Sequence, residues 1–191
     1  MRTDSESKAA DGTLELRDDE KYVLRFERRL AHAPEKVWRA LTEAEQLRQW
    51  FPTDIEGERK RGAKVRFVFR EDAPAAADMP ELLEHDPVDL DGEFTEFDPP
   101  RLLAYTWGDQ YLRWELDPID EGCRLVFTHT FEQGSGIPHP GGPRKQAARD
   151  AAGWETCLAR LGAILDGGAE GAEPDWPAVY ETYVERFASS G

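Results

Sequence analysis

The sequence predicts an α+β domain in which a curved antiparallel sheet wraps around one long C-terminal helix. Three observations carry that expectation. Segments between Lys21 and Glu132 repeatedly alternate apolar and polar residues with the period of a strand. Two short helical patterns interrupt them after the first strand. Finally, Gln146–Asp166 places Ala147, Ala151, Trp154, Leu158, Leu161 and Leu165 at spacings of three and four, the signature of a helix with one buried face. A chain of 191 residues supplies one full core, whereas two domains would each be marginal, so a single domain with tails is expected.

The elements follow in order. Residues 1–19 are polar and are expected to form a flexible tail outside the core. In Lys21–Leu30, Leu24, Phe26 and Leu30 alternate with Val23, Arg25, Glu27 and Arg29, a half-buried strand. Pro34 suits a first helical turn, and Val37, Trp38 and Leu41 share one helical face; a second short helix covers Ala44–Trp50. Thr53–Gly57 fits a short strand, and Lys64–Arg70 alternates with Val65, Phe67 and Phe69 inward. Residues 71–87, rich in Ala, Pro, Asp and Glu, predict a long loop with one helical turn at Pro80–Glu84.

Four strands then follow closely: Val88–Phe97, Leu102–Trp107, Tyr111–Asp117 and Cys123–Glu132. They are separated by Asp98-Pro99-Pro100, Gly108-Asp109 and Asp120-Glu121-Gly122, which reads as an antiparallel meander. Gln133–Lys145 holds four Gly and three Pro and predicts a loop before the long helix, which Gly167-Gly168 stops. Residues 169–191 form a C-terminal extension. Its Trp176, Val179, Tyr180, Tyr183 and Phe187 give an amphipathic pattern suited to packing back on the 20–168 domain.

Charge excludes some functions. With 24 basic against 39 acidic residues, the net charge of −15 repels phosphate backbones and anionic lipid, so neither nucleic acid nor a stable membrane association is expected. The first residues lack the apolar run of a secretory signal, and a cytoplasmic location with reduced Cys123 and Cys157 is expected.

A curved sheet and a helix cannot touch everywhere, and the gap between them is a natural small-molecule site. By alternation, Phe26, Phe67, Phe69, Phe94, Tyr105, Trp107, Trp114, Phe127 and Phe131 point inward, facing Trp154, Leu158 and Leu161. These residues either line a ligand-sized cavity or simply fill the core.

The run Phe26-Glu27-Arg28-Arg29-Leu30, then Pro34-Glu35-Lys36-Val37-Trp38-Arg39-Ala40-Leu41-Thr42 and Gln49-Trp50-Phe51, resembles the START-like, or SRPBCC, superfamily. Gly92-Glu93-Phe94, Asp98-Pro99-Pro100-Arg101-Leu102-Leu103, Tyr105-Thr106-Trp107, Arg124-Leu125, Thr128-His129-Thr130-Phe131 and Gly153-Trp154 resemble its branch related to the C-terminal domain of activators of the heat-shock-protein-90 ATPase. The resemblance spans roughly residues 20–166. It implies the helix-grip (START-like) fold and, as in many superfamily members, binding of a hydrophobic molecule. The separate chaperone-binding domain of the eukaryotic activators has no counterpart in this sequence, which weighs against co-chaperone work.

Polar candidates in the lining are few. His129 shares a strand face with Leu125, Phe127 and Phe131 and is a candidate handle or base; Arg28, on the Phe26 face, is a candidate partner for a ligand carboxylate; Tyr105 is a third orienting group. Glu96 follows Phe94 by two positions and points inward unless a bulge intervenes. The four histidines are scattered, which argues against a metal site, and neither nucleophile motifs nor phosphate or dinucleotide loops are present, so no cofactor is expected. The leading expectation is therefore a non-enzymatic binder of a small hydrophobic or amphipathic molecule. The alternatives are a cyclase- or hydrolase-type enzyme of the same superfamily, or a stress-response module with a chaperone or regulatory protein as partner.

Overall fold

Strands form wherever the sequence alternates. In this computed structural model, which describes residues 12–70, 89–168 and 174–188, they are β1 (Thr13–Leu16), β2 (Lys21–Leu30), β3 (Thr53–Glu56), β4 (Lys64–Phe69), β5 (Leu90–Asp98), β6 (Leu102–Trp107), β7 (Gln110–Ile119) and β8 (Gly122–Glu132). They build one curved antiparallel sheet in the order β1-β2-β8-β7-β6-β5-β4-β3. The helices described are α1 (Pro34–Thr42), α2 (Ala44–Leu47), α3 (Pro143–Leu165) and α4 (Trp176–Ala188). The α+β helix-grip architecture is as expected. The loop of 71–87 and its turn at 80–84 lie outside the described residues.

Register explains the meander. β2 pairs with β8 along its whole length, with Phe26 opposite Phe127 and Leu24 opposite His129. β7 pairs with β8 so that Trp114 also faces Phe127. These partners share one face, because directly opposed residues in an antiparallel pair point the same way. The Trp107–Gln110 pair closes a two-residue turn in which Gly108 takes a φ of 58°, a conformation that other side chains resist.

Four expectations need correction. Thr13–Leu16, placed in a flexible tail, form an edge strand against β2, with Thr13 opposite Arg25. The second short helix ends at Leu47 rather than Trp50, its last turn tightening through bonds from Gln49 N to Gln46 O and from Trp50 N to Leu47 O. The long helix starts at Pro143 rather than Gln146, since proline is tolerated in a first turn, where its missing N–H would have had no partner anyway. A register shift between Phe94 and Glu96 puts a bulge in β5, so the inward position passes to Phe97, whose ring packs edge-on against Trp38 and Phe94. Glu96 is left half-buried.

α3 crosses the concave face of the sheet and buries Ala147, Ala151, Trp154, Leu158, Leu161 and Leu165. α4 packs on α3 through buried Tyr183 and Phe187, and Arg144 donates to the Phe187 carbonyl at 2.7 Å. The apolar face of α4 is thus turned toward α3.

Candidate functional site

Aromatic rings divide the concave face into a tightly filled half and a looser end. In the filled half, Trp114 stacks on Phe127 at 3.9 Å, Phe127 meets Trp154 edge-on at 4.6 Å, and Phe26 stacks on Phe127 at 5.9 Å. Trp50, held by a 2.9 Å bond from its Nε1 to the Ala40 carbonyl, closes on Trp114, and Phe131 stacks on Tyr22. Leu158 and Leu161 are buried beneath these rings on α3. Such ring-on-ring contact is a packed core rather than a vacant space.

His129 lies inside this half and is fully engaged. Trp154 Nε1–H donates to its Nδ1 at 3.1 Å, so Nε2 carries the proton and donates to Gln110 Oε1 at 2.9 Å. Burial pulls its pKa down from 6.5 to about 3, and the ring stays neutral at physiological pH. With both nitrogens occupied it is a structural link between β7, β8 and α3, not an idle base. The loop after β8 is pinned beside it: Asp109 accepts from Gly136 N at 3.1 Å, Gln146 donates to the Ser135 carbonyl at 2.8 Å, and Arg149 to the Ile137 carbonyl at 2.6 Å.

Arg28 is also committed. Its guanidinium pairs with Glu155 of α3, and the side chains are only 16% and 12% exposed. The second Glu155 oxygen accepts from the Tyr183 hydroxyl at 2.6 Å, and that hydroxyl in turn accepts from Gly12 N at 2.8 Å. A buried charge pair completed by further hydrogen bonds holds elements together; here it fastens β2, α3, α4 and the residue before β1.

The looser end lies where β3 begins and β4 and β6 finish. Trp107 is half-buried and is surrounded by Phe51 at 5.3 Å, Phe67 at 5.0 Å, Phe69 at 6.0 Å and Trp154 at 6.2 Å. Phe69 is likewise half-buried. Thr53, directly opposite Phe69, shares its inward face, is 0% exposed, and its Oγ1 has no hydrogen-bond partner among the described residues. Further along β6, Tyr105 lies between Phe67 at 5.3 Å and Phe94 at 5.6 Å, and its hydroxyl accepts from Trp114 Nε1 at 3.2 Å. Burial raises its pKa above the ordinary tyrosine range. On α3, Asp150 stands one turn before Trp154 on the same face; burial raises its carboxyl pKa, opposed by the adjacent Arg149, which donates to Oδ1 at 3.0 Å.

The fourteen expected lining residues thus fall into groups. Phe67, Phe69, Trp107 and Trp154 meet at the looser end with Tyr105 and Phe94 behind them, whereas Phe26, Trp114, Phe127, Phe131, Leu158 and Leu161 belong to the packed half. His129 and Arg28 are bound to protein partners. Phe51 and Thr53 were not foreseen. Phe51 closes a short helix in the sequence, and a threonine at a strand start is unremarkable there. Among the described residues no group of three or more His, Cys, Asp or Glu could hold a metal, and no helix is long and apolar enough to cross a membrane. Cys123 and Cys157 are both buried, and burial pushes the Cys123 thiol up to about 11, away from thiolate chemistry.

Comparison with known proteins agrees with this architecture. A conserved protein of unknown function from Enterococcus faecalis superposes with a TM-score of 0.71 at 22% identity, over 94% of this chain and 92% of that one. CalU16 from Micromonospora echinospora gives 0.66 at 18%, over 95% and 98%. A Bordetella parapertussis protein gives 0.61 at 27%, over 95% and 91%. No curated protein matches the chain in sequence. The family model described as activator of Hsp90 ATPase homolog 1-like protein matches residues 31–166, most of the described domain, and the chain belongs to that family.

Proposed function

We propose that this protein binds a small hydrophobic or amphipathic molecule at the looser end of the concave face, without catalysing a reaction. The observation that carries this reading is Thr53. A fully buried hydroxyl without a partner costs about 1–3 kcal/mol, and this one lies on the strand position opposite Phe69, whose half-buried ring meets half-buried Trp107 edge-on. A ligand that covers those rings and engages Oγ1 removes the penalty. Phe51, Phe67, Phe69, Trp107 and Trp154 supply contact area, and α3 with the pinned loop after β8 supplies a wall. The non-enzymatic part is supported by His129, whose two nitrogens are occupied by Trp154 and Gln110 and whose charge is suppressed, so it is not poised to exchange a proton with a ligand.

Native mass spectrometry of freshly purified protein, before and after organic extraction, tests the proposal. A stoichiometric adduct that extraction releases is expected, and hydrophobic probes should then restore a bound state and quench tryptophan emission. A protein that is empty and ignores such probes would overturn it.

A further inference from the structure

The two edges of the sheet are finished differently. At the β3 edge, Arg59 donates to the carbonyls of Ile55 at 2.9 Å and Gly57 at 3.1 Å, and Arg70 to the Phe51 carbonyl at 3.2 Å, so side chains occupy groups that a further strand would need. The β1 edge is left open. Arg17 N donates to Lys21 O at 2.9 Å across the hairpin, which turns the backbone groups of Arg17, Glu15 and Thr13 toward β2. By alternation, the N–H and C=O of Leu14 and Leu16 point away from β2. Among the described residues nothing bonds to these outward groups, and the Leu16 side chain beside them is 55% exposed. Glu15 and Arg17 are also exposed and make no ion pair among the described residues.

The sequence of this edge is complementary to itself in one register. Antiparallel self-pairing about a twofold axis can be centred on Leu14, Glu15 or Leu16. Centring on Leu14 needs the outward groups of Gly12, but its N–H already donates to the Tyr183 hydroxyl at 2.8 Å and its carbonyl accepts from Arg186 at 3.3 Å. Centring on Glu15 sets that carboxylate against its own copy, and like charges directly opposite repel. Centring on Leu16 sets Leu16 against Leu16 and, twice by symmetry, Glu15 against Arg17 of a second copy. The same register carries the acidic turn Asp18-Asp19-Glu20 toward the Gly12 end, where Arg186 lies. We propose that β1 is a self-association edge: two copies pair β1 to β1, antiparallel and centred on Leu16, and continue the eight-stranded sheet across a twofold axis. The strand is short and each chain carries a net charge of −15, so the dimer is weak and forms at about micromolar rather than nanomolar concentrations.

Sedimentation velocity of the full chain over roughly 5 to 500 µM is the test, and wild type should pass from monomer to dimer within that range. Glu15→Arg and Arg17→Glu should each weaken dimerisation by roughly tenfold, and an equimolar mixture of the two should recover it, because the mixed pair restores both opposite-charge contacts. Both positions are exposed, and unchanged urea midpoints separate loss of pairing from loss of folding. Leu16→Cys with oxidised glutathione supplies a second readout. Directly opposed residues of such a pair lie about 5.5 Å apart at Cα, within disulfide reach, so a covalent dimer should form, whereas Leu14→Cys should stay monomeric. Wild type that remains monomeric throughout, or Arg17→Glu that dimerises like wild type, overturns the inference. Cross-linking of Leu14→Cys in place of Leu16→Cys overturns it as well.

Discussion

Replacing His129 with Gln should remove an acid sensitivity that the fold carries inside it. The imidazole titrates at about 3 when folded against 6.5 when free, so the folded state binds fewer protons than the unfolded chain between those values. A depressed histidine pKa therefore contributes stability above 6.5 that is lost progressively as pH falls toward 3. Working the linkage through, protonation of the unfolded imidazole costs about 0.2 kcal/mol at pH 7 and about 2 kcal/mol at pH 5. Gln can still accept from Trp154 and donate to Gln110 but does not titrate. Asp150, whose raised pKa acts with the opposite sign, is common to both proteins and cancels in the difference. Urea unfolding at pH 7, 6 and 5 is the assay. Wild type should lose about 2 kcal/mol more than His129→Gln over this range; equal losses would refute the claim that His129 is held neutral by burial.

Three further substitutions probe the site and its supports. Thr53→Val removes the unpartnered hydroxyl and should raise stability by up to about 1 kcal/mol in thermal unfolding, while reducing ligand retention in native mass spectra. Gly92→Ala places a Cβ 2.2 Å from the Thr106 carbonyl oxygen and 2.5 Å from the Phe67 ring, so it should cost about 1–3 kcal/mol. The same change should shift tryptophan emission, because Phe67 stacks on Trp107. Glu155→Ala breaks the buried pair with Arg28 and removes the acceptor of the Tyr183 hydroxyl, and should cost about 3 kcal/mol in urea unfolding, whereas Arg28→Leu combined with Glu155→Leu should recover most of the loss.

Much of this fold was legible because its burial is periodic. β2 and β6 match their predicted limits to the residue, and α3 shows its buried stripe plainly. What escaped has physical reasons. β1 is four residues long and mostly exposed, so no alternation marks it as an edge strand. The bulge after Phe94 breaks the period-two count, which is why Glu96 looked inward and Phe97 did not. The inward-facing aromatic residues were expected as one set, but their division into packed and looser parts depends on ring orientation, which composition does not encode. Gln110 as the partner of His129 was within reach, since it follows the two-residue turn at Gly108-Asp109 and sits on the strand beside β8. Glu155 was not, because its contact with Arg28 joins positions 127 residues apart.

The bond from Gly12 to Tyr183 joins positions 171 residues apart and terminates on the same carboxylate that neutralises Arg28. The region shared with the family, 31–166, includes neither of these two residues, nor β2, whose ten residues pair with β8. An excised fragment with those limits would leave Glu155 without its two neighbours and expose an edge of β8. The unit that folds is therefore wider than the unit that is recognised, and circular permutants that join the two extensions should tolerate relocation of the chain break better than deletion of either extension.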